Sequence, residues 1–441
     1  MLRTNADFRR LWLGNLVSFI GDWFNIIALY TAVQGLSSSA QAIAAVMVAK
    51  MLPPFLVTPL VGPIIDRVDR RKILIFTDLA RAACAAGLAA SYLSDSIAGL
   101  YICTAILMAL GGLALPAKSA VLPMLVPAHH LVVANAIGSG TWSAMLALGA
   151  ALGGVATETL GIASAFLLDA LTFLLAAAWF LGLPRLRPSA GSQIGAGGFR
   201  EGLRYLANHH YVLVLTCIKP VLGALGGAVV LIPLFGNGAF QGQSGPLYVG
   251  LLFAARGFGS LLGSLGVRFM GANEPRAMRR AIAGGFAMIG ASYLALGWID
   301  AFWATAVCFF TAMAGNNTIW VFSGTLLQLE TDKSYHGRVF ALEFGVTTLV
   351  MAGSSWVVGA AVDSGISMLT VAAFIGVGGI AAASVGLIVQ IIFEATLRRS
   401  AALPFLGSAP SGDLQELAPS QPRREDRQRE PSFLQSDGRE N

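Results

Sequence analysis

Charge is scarce in this sequence. Asp, Glu, Lys and Arg make up 12% of its 441 residues, against 56% hydrophobic residues. A soluble globular chain carries about 25% charged residues. With half that share, a body of this size cannot cover itself with polar surface, so much of its exterior must face lipid. A water-soluble enzyme with one membrane tether is excluded on that ground. Cysteine is thin as well: Cys84, Cys103, Cys217 and Cys308 lie far apart inside apolar stretches and never in C-x-x-C spacing. That argues against a disulfide framework or a thiolate metal site and leaves small hydrophobes in helix packing. The histidines (His129, His130, His209, His210, His336) fall in loops or at their edges without a ligand pattern. Neither metal nor cofactor is expected.

Other signatures are missing too. No G-x-x-x-x-G-K-[ST] loop occurs, which excludes P-loop use of ATP, and neither H-E-x-x-H nor G-x-S-x-G is present. No cluster of His, Asp or Glu gathers at one end of the apolar stretches, so an enzyme is not expected. The net charge of +6 would suit nucleic acid only if the basic residues formed one patch. They sit instead at the ends of apolar segments, so no nucleic-acid partner is expected.

What the chain has in abundance is long apolar runs. A ~30 Å hydrocarbon core needs about twenty apolar residues per helix. Segments that meet this test run at roughly 11–35, 41–65, 73–94, 97–117, 134–157 and 160–183, then 211–236, 246–270, 278–299, 301–328, 338–362 and 366–394. The spacing predicts an all-α polytopic membrane protein of twelve transmembrane helices. Its organisation reads as a six-helix bundle over 1–183, a linker over 184–210, a second six-helix bundle over 211–394 and a disordered polar tail over 395–441. Within the linker, Phe199, Leu203, Tyr205 and Leu206 recur at helical spacing, which predicts a short amphipathic helix at the membrane surface. The basic start (Arg3, Arg9, Arg10) resembles a signal peptide, but the apolar run that follows is longer than the usual ~7–15 residues and holds Asp22. It is read as a retained first helix.

Loops taken alternately differ in charge. One set holds the N-terminal segment, Arg67/Arg70/Arg71/Lys72, Lys118, the linker, Arg268/Arg276/Arg279/Arg280, Lys333/Arg338 and the tail; the other set, which includes Asp95, Glu158, Asp300 and Asp363, holds no Lys or Arg. Under the positive-inside rule both termini are cytoplasmic, in a plasma (inner) membrane. The halves also echo each other. Lys50 precedes Met51-Leu52-Pro53-Pro54 on the second helix, and Arg256 precedes Gly257-Phe258-Gly259-Ser260 on the eighth. Weak repeats of the same topology are how many secondary transporters are built.

The most specific motif is Gly62-Pro63-Ile64-Ile65-Asp66-Arg67-Val68-Asp69-Arg70-Arg71-Lys72. It resembles the G-x-x-x-D-R-x-x-R-R signature between helices two and three of the major facilitator superfamily. Gly21-Asp22-Trp23, Lys50 with Leu52-Pro53, Asp78-Leu79-Ala80-Arg81-Ala82, Leu115-Pro116-Ala117 with Leu122-Pro123, Phe166-Leu167-Leu168-Asp169-Ala170-Leu171 and Gly337-Arg338-Val339 are similar to one branch of it. That branch is the drug and siderophore exporters, macrolide-efflux and enterobactin-export proteins among them. The resemblance covers about 1–395. It implies the major facilitator fold, two pseudo-symmetric bundles, and a gate on the cytoplasmic side in which Asp66 and its basic neighbours hold helix eleven. Gly62, Asp66, Arg67, Asp69, Arg70, Arg71 and Arg338 form that expected gate. One departure stands out: Gly149-Ala150-Ala151-Leu152-Gly153-Gly154 keeps the glycines of the family's antiporter signature but lacks its proline.

Charges inside the bilayer are costly, about 2.5–3.5 kcal/mol each at a helix centre, and so mark candidate sites. Asp22, Lys50, Asp78, Arg81, Asp169, Lys219 and Arg256 form the expected charge relay. Asp22 pairs with Lys50 in this reading, Asp78 with Arg81, and Asp22 then Asp169 lead as proton carriers. Trp23, Trp142, Phe253, Asn316, Asn317 and Trp320 are expected to line the substrate cavity. The function this implies is a monomeric, proton-coupled antiporter that exports hydrophobic or amphipathic small molecules, with multidrug efflux as the type. The alternatives are an importer or lipid carrier on the same fold, and more remotely a membrane scaffold or membrane enzyme.

Overall fold

A computed structural model describes residues 5–127, 130–186, 199–238, 245–266, 274–299, 301–332 and 335–402. The helices start where the sequence supplies caps. In the first half they are α1 (Ala6–Leu36), α2 (Ala40–Arg67), α3 (Arg70–Leu93), α4 (Ile97–Leu125), α5 (Leu131–Leu160) and α6 (Ile162–Leu181). Asn5, Ser39, Asp69 and Ser96 stand immediately before α1 to α4, and each side chain accepts from a free amide of the first turn, as N-caps do. Between α5 and α6 the reversal takes a single residue, Gly161, at φ 87°, a left-handed conformation open to glycine at little cost.

A ten-residue helix, α7 (Phe199–Asn208), precedes the second half. The seventh span is jointed: α8 (His210–Leu225), a 3-10 turn at Gly226–Val230, then α9 (Leu231–Gly238). After it come α10 (Pro246–Gly266), α11 (Pro275–Ala295), α12 (Phe302–Glu330), α13 (His336–Asp363) and α14 (Met368–Ala402). Met1–Ile391 form one compact unit and Ile392–Asn441 another, of which only helical backbone to Ala402 is described. The expected disordered tail otherwise lies outside the described residues.

Eleven of the described spans are long and apolar enough to cross a membrane. The twelfth, α12, has 29 residues, but Thr311, Asn316, Asn317, Thr318 and Ser323 dilute its apolar character. Burial departs from that of a soluble protein. Asp78 and Asp169 are fully buried, and Lys219 and Glu343 nearly so, while Phe76, Leu167, Phe374 and Val377 are exposed. Such a surface is stable only in lipid.

Two expectations are corrected. Helix α4 runs on to Leu125, so Lys118, assigned above to a loop, lies inside it. Helix α7 forms as expected, but its apolar face is used on protein: Tyr205 and Leu206 are buried, and a Cβ at Gly202 would lie 2.9 Å from Leu342 of α13. Tyr205 stacks on Tyr335 with ring centroids 4.3 Å apart, and Glu201 pairs with Arg338 at 3.0 Å.

Small residues bring the halves together. Between α5 and α10, a Cβ at Gly154 would come within 2.9 Å of Pro246 O, and one at Gly257 within 2.5 Å of Ala147 Cα. Between α2 and α13, a Cβ at Gly359 would meet Ala44 Cβ at 2.7 Å. Gly149 and Gly153 are used against α1, where an added Cβ would come within 2.8 Å of the Trp23 ring and 2.7 Å of its carbonyl. The helix-five glycines thus keep their packing role without the proline.

Candidate functional site

The alternating loop charges define a basic side and an acidic side. On the acidic side the halves are tied by polar contacts. Asp363, the last residue of α13, accepts from Ser39 Oγ, from Ala40 N at 2.7 Å and from Gln41 N at 3.0 Å. A carboxylate from one half therefore sits on the N-terminus of a helix from the other, where free amides and the helix dipole favour it. Nearby, Gln34 of α1 donates to Pro233 O at 3.2 Å and accepts from Asn237 of the seventh span.

On the basic side the halves stand apart around a cavity of about 440 Å³. Phe8, Trp12 and Asn15 of α1 and Trp142 of α5 line it opposite Ser264 of α10 and Asn317 of α12. Deeper lies a cavity of about 550 Å³, walled by Asp22, Trp23, Lys50, Arg81, Thr104, Met108, Trp142, Met145 and Phe344. Three charged side chains thus meet aromatic and thioether surface. Thr104 Oγ1 is buried on this wall with no partner among the described residues.

Arg81 organises the charges. Its guanidinium donates to Asp22 Oδ1 at 2.7 Å, faces Asp78 at 3.6 Å and lies 4.0 Å over the Phe173 ring. The expected Asp78–Arg81 pair is present. The expected Asp22–Lys50 pair is not, because Asp22 is taken by Arg81. Lys50 lines the same cavity with no carboxylate within ion-pair distance among the described residues. Helix adjacency explains this, since α1 packs closely on α6 and α6 on α3, which aims Arg81 at α1. Gly21 makes the approach possible: a Cβ there would overlap Thr172 Oγ1 and lie 2.5 Å from Asp169 Oδ1. Behind the cavity wall, Asp169 is fully buried and accepts from Asn25 Nδ2 at 2.7 Å. Lys118 lies 5.7 Å from the Phe180 ring centroid.

Glu343 escaped the sequence reading. It bonds Lys219 Nζ at 2.8 Å in a buried pair between α13 and α8, with Trp320 4.8 Å from the ammonium. The available signal was a carboxylate within the apolar run 338–362, the same signal that singled out Asp169. Of the expected cavity residues, Trp23 and Trp142 line the deep cavity and Asn317 the basic-side cavity, where it donates to Ser260 O at 2.8 Å. Phe253 is instead a packing residue, stacked 5.7 Å from Tyr30 and 6.1 Å from Trp23. Asn316 and Arg256 share a separate small pocket, and Trp320 packs on Lys219.

The surroundings of Gly62 and the side chain of Asp66 lie outside the described residues. The rest of that loop is tied to its own half. Asp69 caps α3 and accepts from Leu186 N at 3.1 Å, Arg70 Nη1 donates to Ala120 O at 3.1 Å, and Arg71 donates to Leu181 O. Arg67 is exposed.

A bundle pair joined on one face and parted on the other around a half-charged cavity defines a membrane transporter body. The chain belongs to the Major Facilitator Superfamily, whose family model matches residues 11–355. It is 26% identical over 363 residues to YfiS, an uncharacterized MFS-type transporter of Bacillus subtilis (strain 168), covering 79% of this chain and 85% of that one. A second B. subtilis protein of that description, YkuC, is 23% identical over 244 residues, 52% of this chain and 56% of that one. Among solved structures, the nucleoside transporter NupG aligns with TM-score 0.65 at 12% identity, over 88% of this chain and 98% of that one. A POT family transporter in complex with a thioalcohol-conjugated peptide aligns with TM-score 0.64 at 12% identity, over 86% and 96%. At these identities the likeness concerns the fold.

Proposed function

We propose that the protein is a proton-coupled exporter of amphipathic small molecules, working by alternating access in the plasma membrane with both termini in the cytoplasm. The observation that carries this reading is the deep cavity, where Asp22, Lys50 and Arg81 meet Trp23, Trp142, Met108 and Met145. A solute with apolar bulk and a polar group finds both kinds of surface there, as ligand sites require. The positive-inside rule makes the basic side cytoplasmic, so the cavity faces the cytoplasm and Asp363 belongs to the closed outer gate. In this state Arg70 and Arg71 of the helix-two loop are held by carbonyls of their own half, as suits an inner gate that is open. Export rather than uptake is supported by the motifs that resemble drug and siderophore exporters.

Coupling needs a carboxylate whose partners change between states. Asp22 suits this role, because one guanidinium is shared between it and Asp78. Proton arrival at Asp22 would release Arg81 toward Asp78 and alter the cavity wall. Everted membrane vesicles energised with a pH gradient test the reading with a panel of lipophilic dyes and antibiotics. Uptake into the vesicles should collapse with a proton ionophore and be absent for Asp22→Asn protein at equal membrane abundance. Gradient-driven transport by that variant at the native rate would remove Asp22 from the mechanism. Ionophore-insensitive transport would remove the proton.

A further inference from the structure

The sequence repeat that sets Lys50 in the first half sets Arg256 in the second, and the two are compensated differently. Lys50 shares its cavity with Asp22. Arg256 shares its surroundings with no acid: no carboxylate lies within ion-pair distance among the described residues. Glu343, the carboxylate within the described apolar spans of the second half, is already bound to Lys219. The hydrogen-bond acceptor beside Arg256 is the thioether of Met313, 3.5 Å from Nη2, and its aromatic neighbour is the Phe253 ring at 5.9 Å. Sulfur is a weak acceptor, so a guanidinium in a bilayer protein is left nearly bare.

Beside it lies a pocket of about 30 Å³, lined by Arg256, Tyr293 and Asn316 with Met313, Leu222, Ile289 and the jointed stretch of the seventh span. Tyr293 is 7% exposed. Neither its hydroxyl nor the Asn316 amide makes a hydrogen bond among the described residues. All three polar side chains can donate, and none carries negative charge. The space is enough for one water-sized group.

We propose that this pocket binds an anionic group, either a small inorganic anion or the carboxylate of a solute, held by the Arg256 guanidinium with the Asn316 amide and the Tyr293 hydroxyl. The site goes beyond the exporter reading and does not depend on it, since the pocket is lined by second-half residues. Its test reads binding rather than transport, so the two stand or fall separately.

Purified protein in phosphatidylcholine nanodiscs is titrated with sodium chloride, and separately with sodium benzoate, against isethionate at constant ionic strength. Thermal unfolding is followed by tryptophan fluorescence. A saturable rise in melting temperature with chloride identifies a small-anion site, and a rise with benzoate alone identifies a solute carboxylate. In Arg256→Gln the apparent affinity should fall about tenfold or more, the scale of one charge-assisted hydrogen bond. Because that variant could fail to fold, Asn316→Asp provides a second arm. It supplies the missing carboxylate from within, so it should melt higher than wild type without added anion and respond to neither salt. No saturable rise with either salt in the wild type, or an Asn316→Asp protein as responsive as wild type, would overturn the site.

Discussion

Arg81 joins two carboxylates and an aromatic ring in one cluster, and its worth is clearest when it is removed. It is 7% exposed and sits between Asp22 and Asp78. Breaking a buried pair by deleting one partner costs about 3–5 kcal/mol because the surviving charge is stranded. Arg81→Gln should therefore lower the melting temperature markedly, and adding Asp22→Asn and Asp78→Asn should recover part of the loss. Melting curves of the single and triple variants in detergent measure this. Gly21 is as constrained for a steric reason. Gly21→Ala should reduce the yield of monodisperse protein in size-exclusion profiles, whereas Ala at Gly35, which has open space around it, should not. The residues of this cluster were legible as charges in apolar runs. Their partners were not, because spacing along one helix says nothing about which helix lies alongside. Asp78–Arg81 was legible since it is an i, i+3 pair on one helix. Asp22–Arg81 depends on the packing of α1, α3 and α6, and Lys219–Glu343 on that of α8 and α13.

At the scale of elements, helix number and order were readable from apolar length, and helix ends less so. Helix α4 passes through Pro116 and Pro123, which signal a helix break, and through Lys118, which signals the end of an apolar span. The cation stays in the helix here on the wall of the basic-side cavity, with the Phe180 ring centroid 5.7 Å from its ammonium. The contact of Asp363 with the start of α2 was not visible in the sequence, where Asp363 reads as a loop acid. Its bonds are charge-assisted, and they tie the halves on the acidic side. Asp363→Ala should raise the share of molecules open on that side by about tenfold or more, the factor that corresponds to ~1.4 kcal/mol. Spin labels at Gly35, which has open space around it, and Ile366, read by pulsed electron resonance, would show the longer-distance population grow. An unchanged distribution would assign closure to the Gln34 contacts and to the α5–α10 and α2–α13 packing.

For the whole molecule, the pairing of a closed acidic face with an open basic face makes a mechanical claim. If transport needs the halves to exchange these states, then fixing α2 to α13 on the acidic side must stop it. Ser39→Cys with Asp363→Cys places two thiols where the native side chains already touch across the halves. Oxidation should abolish flux, and reduction should restore it. Full activity of the oxidised protein would mean the solute does not pass between the halves.

The interruption of the seventh span at Gly226–Val230 gives that exchange a particular form. A 3-10 turn replaces i to i−4 bonds with shorter, weaker ones, so α8 and α9 do not share an unbroken ladder. The lower piece is anchored to α13 through Lys219 and Glu343, and the upper piece holds Gln34 through Pro233 and Asn237. The acidic-side segment can then peel from the first half by flexing at the joint, while the basic-side ion pair stays intact. Opening on the acidic side would resemble bending a finger at the knuckle more than swinging a door on its hinge.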